Sequence, residues 1–83
     1  MNILLSSIAK NDIRLLMRVF NAEEQNKGID FLEELKKCVN GITEKEKKRF
    51  QETLVETMQD FPVNIHYLFE DEEHILITAV FKI

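Results

Sequence analysis

A lone cysteine, Cys38, among 83 residues leaves no partner for an intramolecular disulfide, and the two histidines beside it make a zinc site an unpromising reading. With one proline and two glycines there are few permitted breaks, so long elements with short joints are expected. The longest apolar stretch, Ile75 to Phe81 with Thr78 inside it, falls far short of the ~18 residues a membrane span needs. The opening Met1-Asn2-Ile3-Leu4-Leu5 lacks a basic start, so no secretory signal is expected, and a reduced, cytoplasmic setting fits best. There is no glycine-rich phosphate loop, no serine–histidine–aspartate order and no close carboxylate–histidine spacing. No metal, no cofactor and no catalytic residue can be assigned on that basis.

What is present is a globular balance, with 45% hydrophobic and 31% charged residues, which excludes a disordered tail and predicts one domain over residues 1–83. The net charge of −4 is unevenly placed. Residues 1–49 carry ten basic side chains against eight acidic, a balance of +2, whereas residues 50–83 carry seven acids and only Lys82, a balance of −6. The overall sign is wrong for a nucleic-acid binder, which concentrates cations to displace counterions from phosphates. The one basic cluster, Glu44-Lys45-Glu46-Lys47-Lys48-Arg49, reads first as a solvated helix start. Lys47, Lys48, Arg49 and Lys82 are the candidates for a phosphate contact.

Asn2 to Leu5 reads as a short strand, after which Ser6 or Ser7 can cap a helix. Ile13, Leu16, Met17 and Phe20 share one helical face, which Leu15 and Val19 would widen, and Gly28 would supply a left-handed stop. A second helix is predicted from Asp30, with Glu33 three residues on and an apolar stripe of Phe31, Leu32, Leu35, Cys38 and Val39, ending at Asn40-Gly41. Thr43 to Glu46 has the form of a capping box and predicts a third helix carrying Phe50, Leu54, Met58 and Phe61, stopped by Pro62.

From Val63 the period becomes two. Val63, Ile65, Tyr67 and Phe69, then Ile75, Ile77, Ala79, Phe81 and Ile83, predict an antiparallel hairpin. Matching apolar faces sets Phe69 opposite Ile75, Tyr67 opposite Ile77, Ile65 opposite Ala79 and Val63 opposite Phe81. The other face then pairs Leu68 with Leu76, His66 with Thr78 and Asn64 with Val80. The link becomes Asp71-Glu72-Glu73 between Glu70 and His74, with an acidic residue in the left-handed region. The predicted fold class is therefore α+β, with a short N-terminal strand, three helices and a C-terminal antiparallel hairpin or small sheet.

Candidate site residues follow from that layout. Leu68, Leu76 and Val80 form an apolar strip beside the acids Glu70, Asp71, Glu72 and Glu73, and apolar surface rimmed by charge marks binding sites. A protein partner or a second copy would cover it. Cys38, on the stripe of Phe31 and Leu35, reads as a buried thiol rather than a nucleophile. His66 and His74 read as surface or partner contacts, and Tyr67 as packing.

Three patches in order resemble the RelE/ParE superfamily of toxins from type II toxin–antitoxin pairs. Ile3 to Ile13, with Ser6, Ala9, Asp12 and Ile13, is similar to the family's strand, serine, alanine and Asp-Leu/Ile opening. Phe31-Leu32-Glu33-Glu34-Leu35 resembles the start of its second helix. Asp60-Phe61-Pro62-Val63, Ile65-His66-Tyr67 and Ile75 to Phe81 resemble its Phe-Pro entry into a Tyr-bearing strand, a charged turn and a closing strand. The patches span residues 3–82. The departures are the acidic pI near 5.1, a chain that ends at Lys82-Ile83 where the family has a basic or histidine tail, and a helix-like segment where the family has a loop and a strand.

The resemblance implies a toxin-like component of a type II toxin–antitoxin pair that binds a protein target and is neutralised by an antitoxin. The non-cleaving, ParE-like mode is preferred, because groups that could activate a ribose hydroxyl and stabilise a phosphorane are sparse. The alternative is a small phage or mobile-element inhibitor that binds a host defence protein through its acidic hairpin. A third reading is a ribosome-dependent mRNA endoribonuclease using Lys82, His66 and the basic helix start.

Overall fold

The computed structural model describes residues 2–44 and 50–83. The order of elements is β1 (Asn2–Leu5), α1 (Ser7–Glu23), α2 (Lys27–Thr43), β2 (Leu54–Thr57), β3 (Val63–Phe69) and β4 (His74–Lys82). The strands form one mixed sheet in the order β1-β4-β3-β2, with β1 parallel to β4 and the other neighbours antiparallel. The two helices form a hairpin on one face of this sheet, and the buried side chains of both layers make one cluster.

The α+β class stands, but the expectation of three helices and a simple C-terminal hairpin does not. The described residues contain two helices, and the segment assigned to the third contributes strand β2. Phe50, Leu54 and Met58 are spaced by four, which places them on one face of a helix and equally on one face of a strand, because four is a multiple of two. Thr53, Val55 and Thr57 are β-branched and favour the strand. Thr43 is not a helix start either. Its hydroxyl donates to the Asn40 carbonyl at 2.6 Å in the last turn of α2. That helix runs past Asn40-Gly41 and so buries Ile42, which is 1% exposed.

Ser6 caps α1, its Oγ accepting the Ala9 amide at 3.0 Å. Leu16 and Phe20 are buried from that helix, with Ile13 and Met17 packed beside them, whereas Leu15 and Val19 are exposed and do not widen the buried face. The left-handed residue between the helices is Asn26, at φ 66°, rather than Gly28. Gly28 is needed for a different reason. A Cβ there would sit 2.6 Å from the Met17 carbonyl oxygen, and its amide donates to Asn21 Oδ1 at 2.8 Å. The α2 backbone therefore lies against both the Met17 carbonyl and the Asn21 side chain of α1 at this point. Further in, Phe20, Phe31 and Phe61 form a triangle of rings with centroids 5.1, 5.1 and 5.6 Å apart, tying both helices to the β2–β3 turn.

The β3–β4 register agrees with expectation for Phe69–Ile75, Leu68–Leu76 and Tyr67–Ile77 and then departs from it. A bulge places Thr78 as an extra residue, so His66 faces Ala79, Ile65 faces Val80, Asn64 faces Phe81 and Val63 faces Lys82. Every side chain beyond Thr78 changes face. Val80 is 2% exposed in the core and is not part of the outer strip, while Phe81 is 50% exposed. The bulge is held from α1: Ser6 Oγ donates to the Thr78 carbonyl at 2.8 Å, and the Val80 amide donates to Asp12 Oδ2 at 3.0 Å.

Removing that acceptor by Asp12→Ala should cost about 1–2 kcal/mol in urea unfolding, because the Val80 amide loses a charged partner. The two glycines should behave oppositely. Gly28→Ala should lose about 1–3 kcal/mol by overpacking, whereas Gly41→Ala, with nothing within 4 Å of its added methyl, should be neutral or up to about 1 kcal/mol more stable.

Candidate functional site

The side of the sheet away from the helices carries the even-numbered residues of β3 and the early part of β4. Their register makes rows across the strands. Leu4 pairs with Leu76 and Leu76 with Leu68, so three leucines from β1, β4 and β3 stand side by side. Leu4 is 43% exposed, and Leu68 and Leu76 are half-buried. The neighbouring row holds Ala79, His66 and Val55, and the one after it Phe81, Asn64 and Thr57. The His66 and Phe81 rings meet edge to face at 5.0 Å, and Thr57 Oγ1 donates to Asn64 Oδ1 at 2.7 Å. Leu4 and Val55 were not picked out as site residues from the sequence, and Phe81 was assigned there to the buried face opposite Val63 rather than to this one. Leu4 joins the strip only through a parallel pairing with a strand some seventy residues away, which no local pattern signals.

On the other side of the leucine row lies the acidic turn. The Glu70 amide donates to the His74 carbonyl at 2.9 Å, leaving Asp71-Glu72-Glu73 as the link, as read from the sequence. None of the three is left-handed, contrary to expectation; the positive-φ residues among those described are Asn26 and Gln51. The Asp71 carboxylate closes the turn instead. Its Oδ1 accepts the Glu73 amide at 2.8 Å and lies 2.8 Å from His74 Nδ1. The Glu73 amide, and then His74, hold the Asp71 carboxyl below its ordinary range. Gln51 braces the strand end, its amide donating to the Phe69 carbonyl at 2.9 Å and its Nε2 to the Glu70 carbonyl at 2.9 Å.

Among the described residues, the remaining candidates are not gathered at one place. Lys82 lies on the helix side of the sheet, where its Nζ donates to Glu23 Oε2 at 3.0 Å. Lys27 donates to the other oxygen of Glu23 at 2.8 Å, and both ammonium groups sit over the Phe20 ring at 5.5 and 5.6 Å. Hydrogen bonds from Lys27 and then Lys82 hold the Glu23 carboxyl below its usual value. His66 is on the opposite face of the sheet from Lys82, and Tyr67 is in the core at 4% exposure. Lys47, Lys48 and Arg49 lie outside the described residues. Cys38 is half-buried and lines a groove of about 460 Å³ between α2 and β2, with Glu34, Met58 and Thr57 among its neighbours. Among the described residues no group of three histidine, cysteine or acidic side chains is placed to hold a metal ion, and no helix is long and apolar enough to cross a membrane.

A carboxyl whose folded value is depressed stabilises the turn above its unfolded value and loses that contribution as pH falls through the folded one. The Glu73 amide resonance should therefore titrate on the acid side of the ordinary aspartate range. Asp71→Asn should abolish that titration in an NMR pH series, and a titration that survives the substitution would exclude Asp71 as its source.

No protein-family profile matches the sequence, and no curated protein matches it. Among solved structures, the fold is similar to that of a chain in "Chromosomal ParDE TA system from P. aeruginosa", with a TM-score of 0.81, 10% sequence identity, and coverage of 100% of this chain and 96% of that one. The likeness is one of fold and extends over the full length of this chain.

Proposed function

We propose that the protein is a toxin-like component of a type II toxin–antitoxin pair, acting by binding a protein target and neutralised by an antitoxin. The observation that carries this reading is the full-length fold similarity to a chain of a ParDE toxin–antitoxin system. Ser6, Ala9 and Asp12, which led to the family resemblance, support it further. Ser6 and Asp12 hold the β4 bulge, and Ala9 is fully buried in the helix–sheet interface.

The non-cleaving mode is favoured by the placement of the polar groups. General acid–base cleavage of RNA needs a base, an acid and phosphate-binding cations within reach of one phosphate. Here His66 and Lys82 are on opposite faces of the sheet, and Lys82 is paired with Glu23. The −6 balance of residues 50–83 also repels a polyanion.

Expression in a growing bacterium, with and without the neighbouring gene, tests the proposal. Growth arrest relieved by the neighbour is expected, and it should persist in His66→Ala and Lys82→Ala. Arrest accompanied by ribosome-dependent mRNA cleavage that either substitution abolishes would replace the binding mode with the nuclease. Expression without arrest would remove the toxin reading and favour the inhibitor of a host defence protein.

A further inference from the structure

The leucine row has a geometry that selects its occupant. Leu4, Leu76 and Leu68 lie on adjacent strands in register, and adjacent strands are about 4.8 Å apart. The row therefore runs across the strands as a line of apolar side chains at that repeat. An α-helix laid across the strands presents one apolar side chain per turn, at i, i+4 and i+7, with a rise of about 5.4 Å per turn. The two repeats nearly coincide over three residues, so each leucine can take one turn of helix.

The charges beside the row decide which helix. One row towards the turn stand His74 and Glu70, followed by Asp71, Glu72 and Glu73. On the far side the rows are neutral apart from His66: Ala79 and Val55, then Phe81, Asn64 and Thr57. The basic residue of β4, Lys82, is turned to the helix side and engaged by Glu23. Among the described residues, the apolar line is thus bordered by negative charge along one flank only. A helix that fits it carries lysine or arginine along one border of its apolar stripe and uncharged residues along the other. A second copy of this chain fits less well, because two copies joined through the row would bring two acidic turns to one interface.

We propose that the outer face of the sheet is a docking site for an amphipathic helix of a partner protein, seated across Leu4, Leu76 and Leu68 with a basic flank against Glu70 to Glu73. This rests on the reading that the protein works by binding a protein partner, and it names the site and the chemistry of what fills it.

The probe is a synthetic helical peptide of about 18 residues, long enough to hold some helix alone, with leucines at i, i+4 and i+7 and lysines along one flank. Its control carries glutamate in place of lysine. Fluorescence anisotropy with the whole 83-residue chain should show the lysine peptide binding, and the glutamate peptide binding about tenfold more weakly or worse. Leu76→Lys should weaken binding by about tenfold or more. Leu4→Lys, at an already exposed position on the sheet edge, should do the same with an unchanged circular dichroism spectrum. Glu70→Lys combined with Glu73→Lys should invert the preference between the peptides. Equal binding of the two peptides, or leucine variants that bind as the parent does, would overturn the proposal. So would self-association of the parent chain in sedimentation that is lost in Leu76→Lys. Growth arrest and relief by the neighbouring gene, both intact in Leu4→Lys and Leu76→Lys, would overturn the docking site and leave the toxin reading standing. The expected peptide binding without growth arrest would support the site and remove the toxin reading.

Discussion

The extra residue in β4, Thr78, sets where every later side chain of that strand goes. A bulge frees backbone groups from the ladder, and those groups need partners if the strand is to stay in a packed layer. Here the first two turns of α1 and its cap supply them. Ser6 both accepts the Ala9 amide, which caps the helix, and donates to the Thr78 carbonyl, while Asp12 takes the Val80 amide. On the other side of the strand, the Thr78 hydroxyl donates to the His66 carbonyl at 3.2 Å. The same few side chains start the helix, end the pairing of β1 at Leu5 with Ile77, and hold the irregular strand beneath them.

The consequences divide the sheet. Before Thr78 the odd-numbered residues of β4 face the helices, and after it the even-numbered ones do. Val80 completes the core between Ile65 and α1, and Lys82 reaches Glu23 at the end of α1, adding an ion pair and a ring contact over Phe20. Phe81 is carried to the outer face, where it meets His66. Without the bulge, Phe81 would compete for the space near Phe20 and Phe61, and Lys82 would stand outside.

The outer face is consequently bordered by the acidic β3–β4 turn. The helical hairpin, whose charges nearly balance, covers one face of the sheet, whereas the acidic residues 50–83 build three of the four strands and the β3–β4 turn. Asp71 spends its carboxylate on the backbone of its own turn, which orders the acidic tip beside the leucine row.

Much of this was readable in local patterns. The serine cap, the buried stripes of Leu16–Phe20 and Phe31–Leu35–Val39, the three-residue acidic turn and the first half of the β3–β4 register follow from periodicities of 3.6 and two and from turn chemistry, which act over a few residues. Such patterns cannot distinguish a helix from a strand where apolar residues fall four apart, as at Phe50, Leu54 and Met58. They also cannot foresee a bulge whose partners are Ser6 and Asp12, 72 and 68 residues away. The mixed sheet, the inward turn of Val80 and the leucine row through Leu4 were decided only by tertiary structure, because each depends on backbone groups and side chains brought together from opposite ends of the chain.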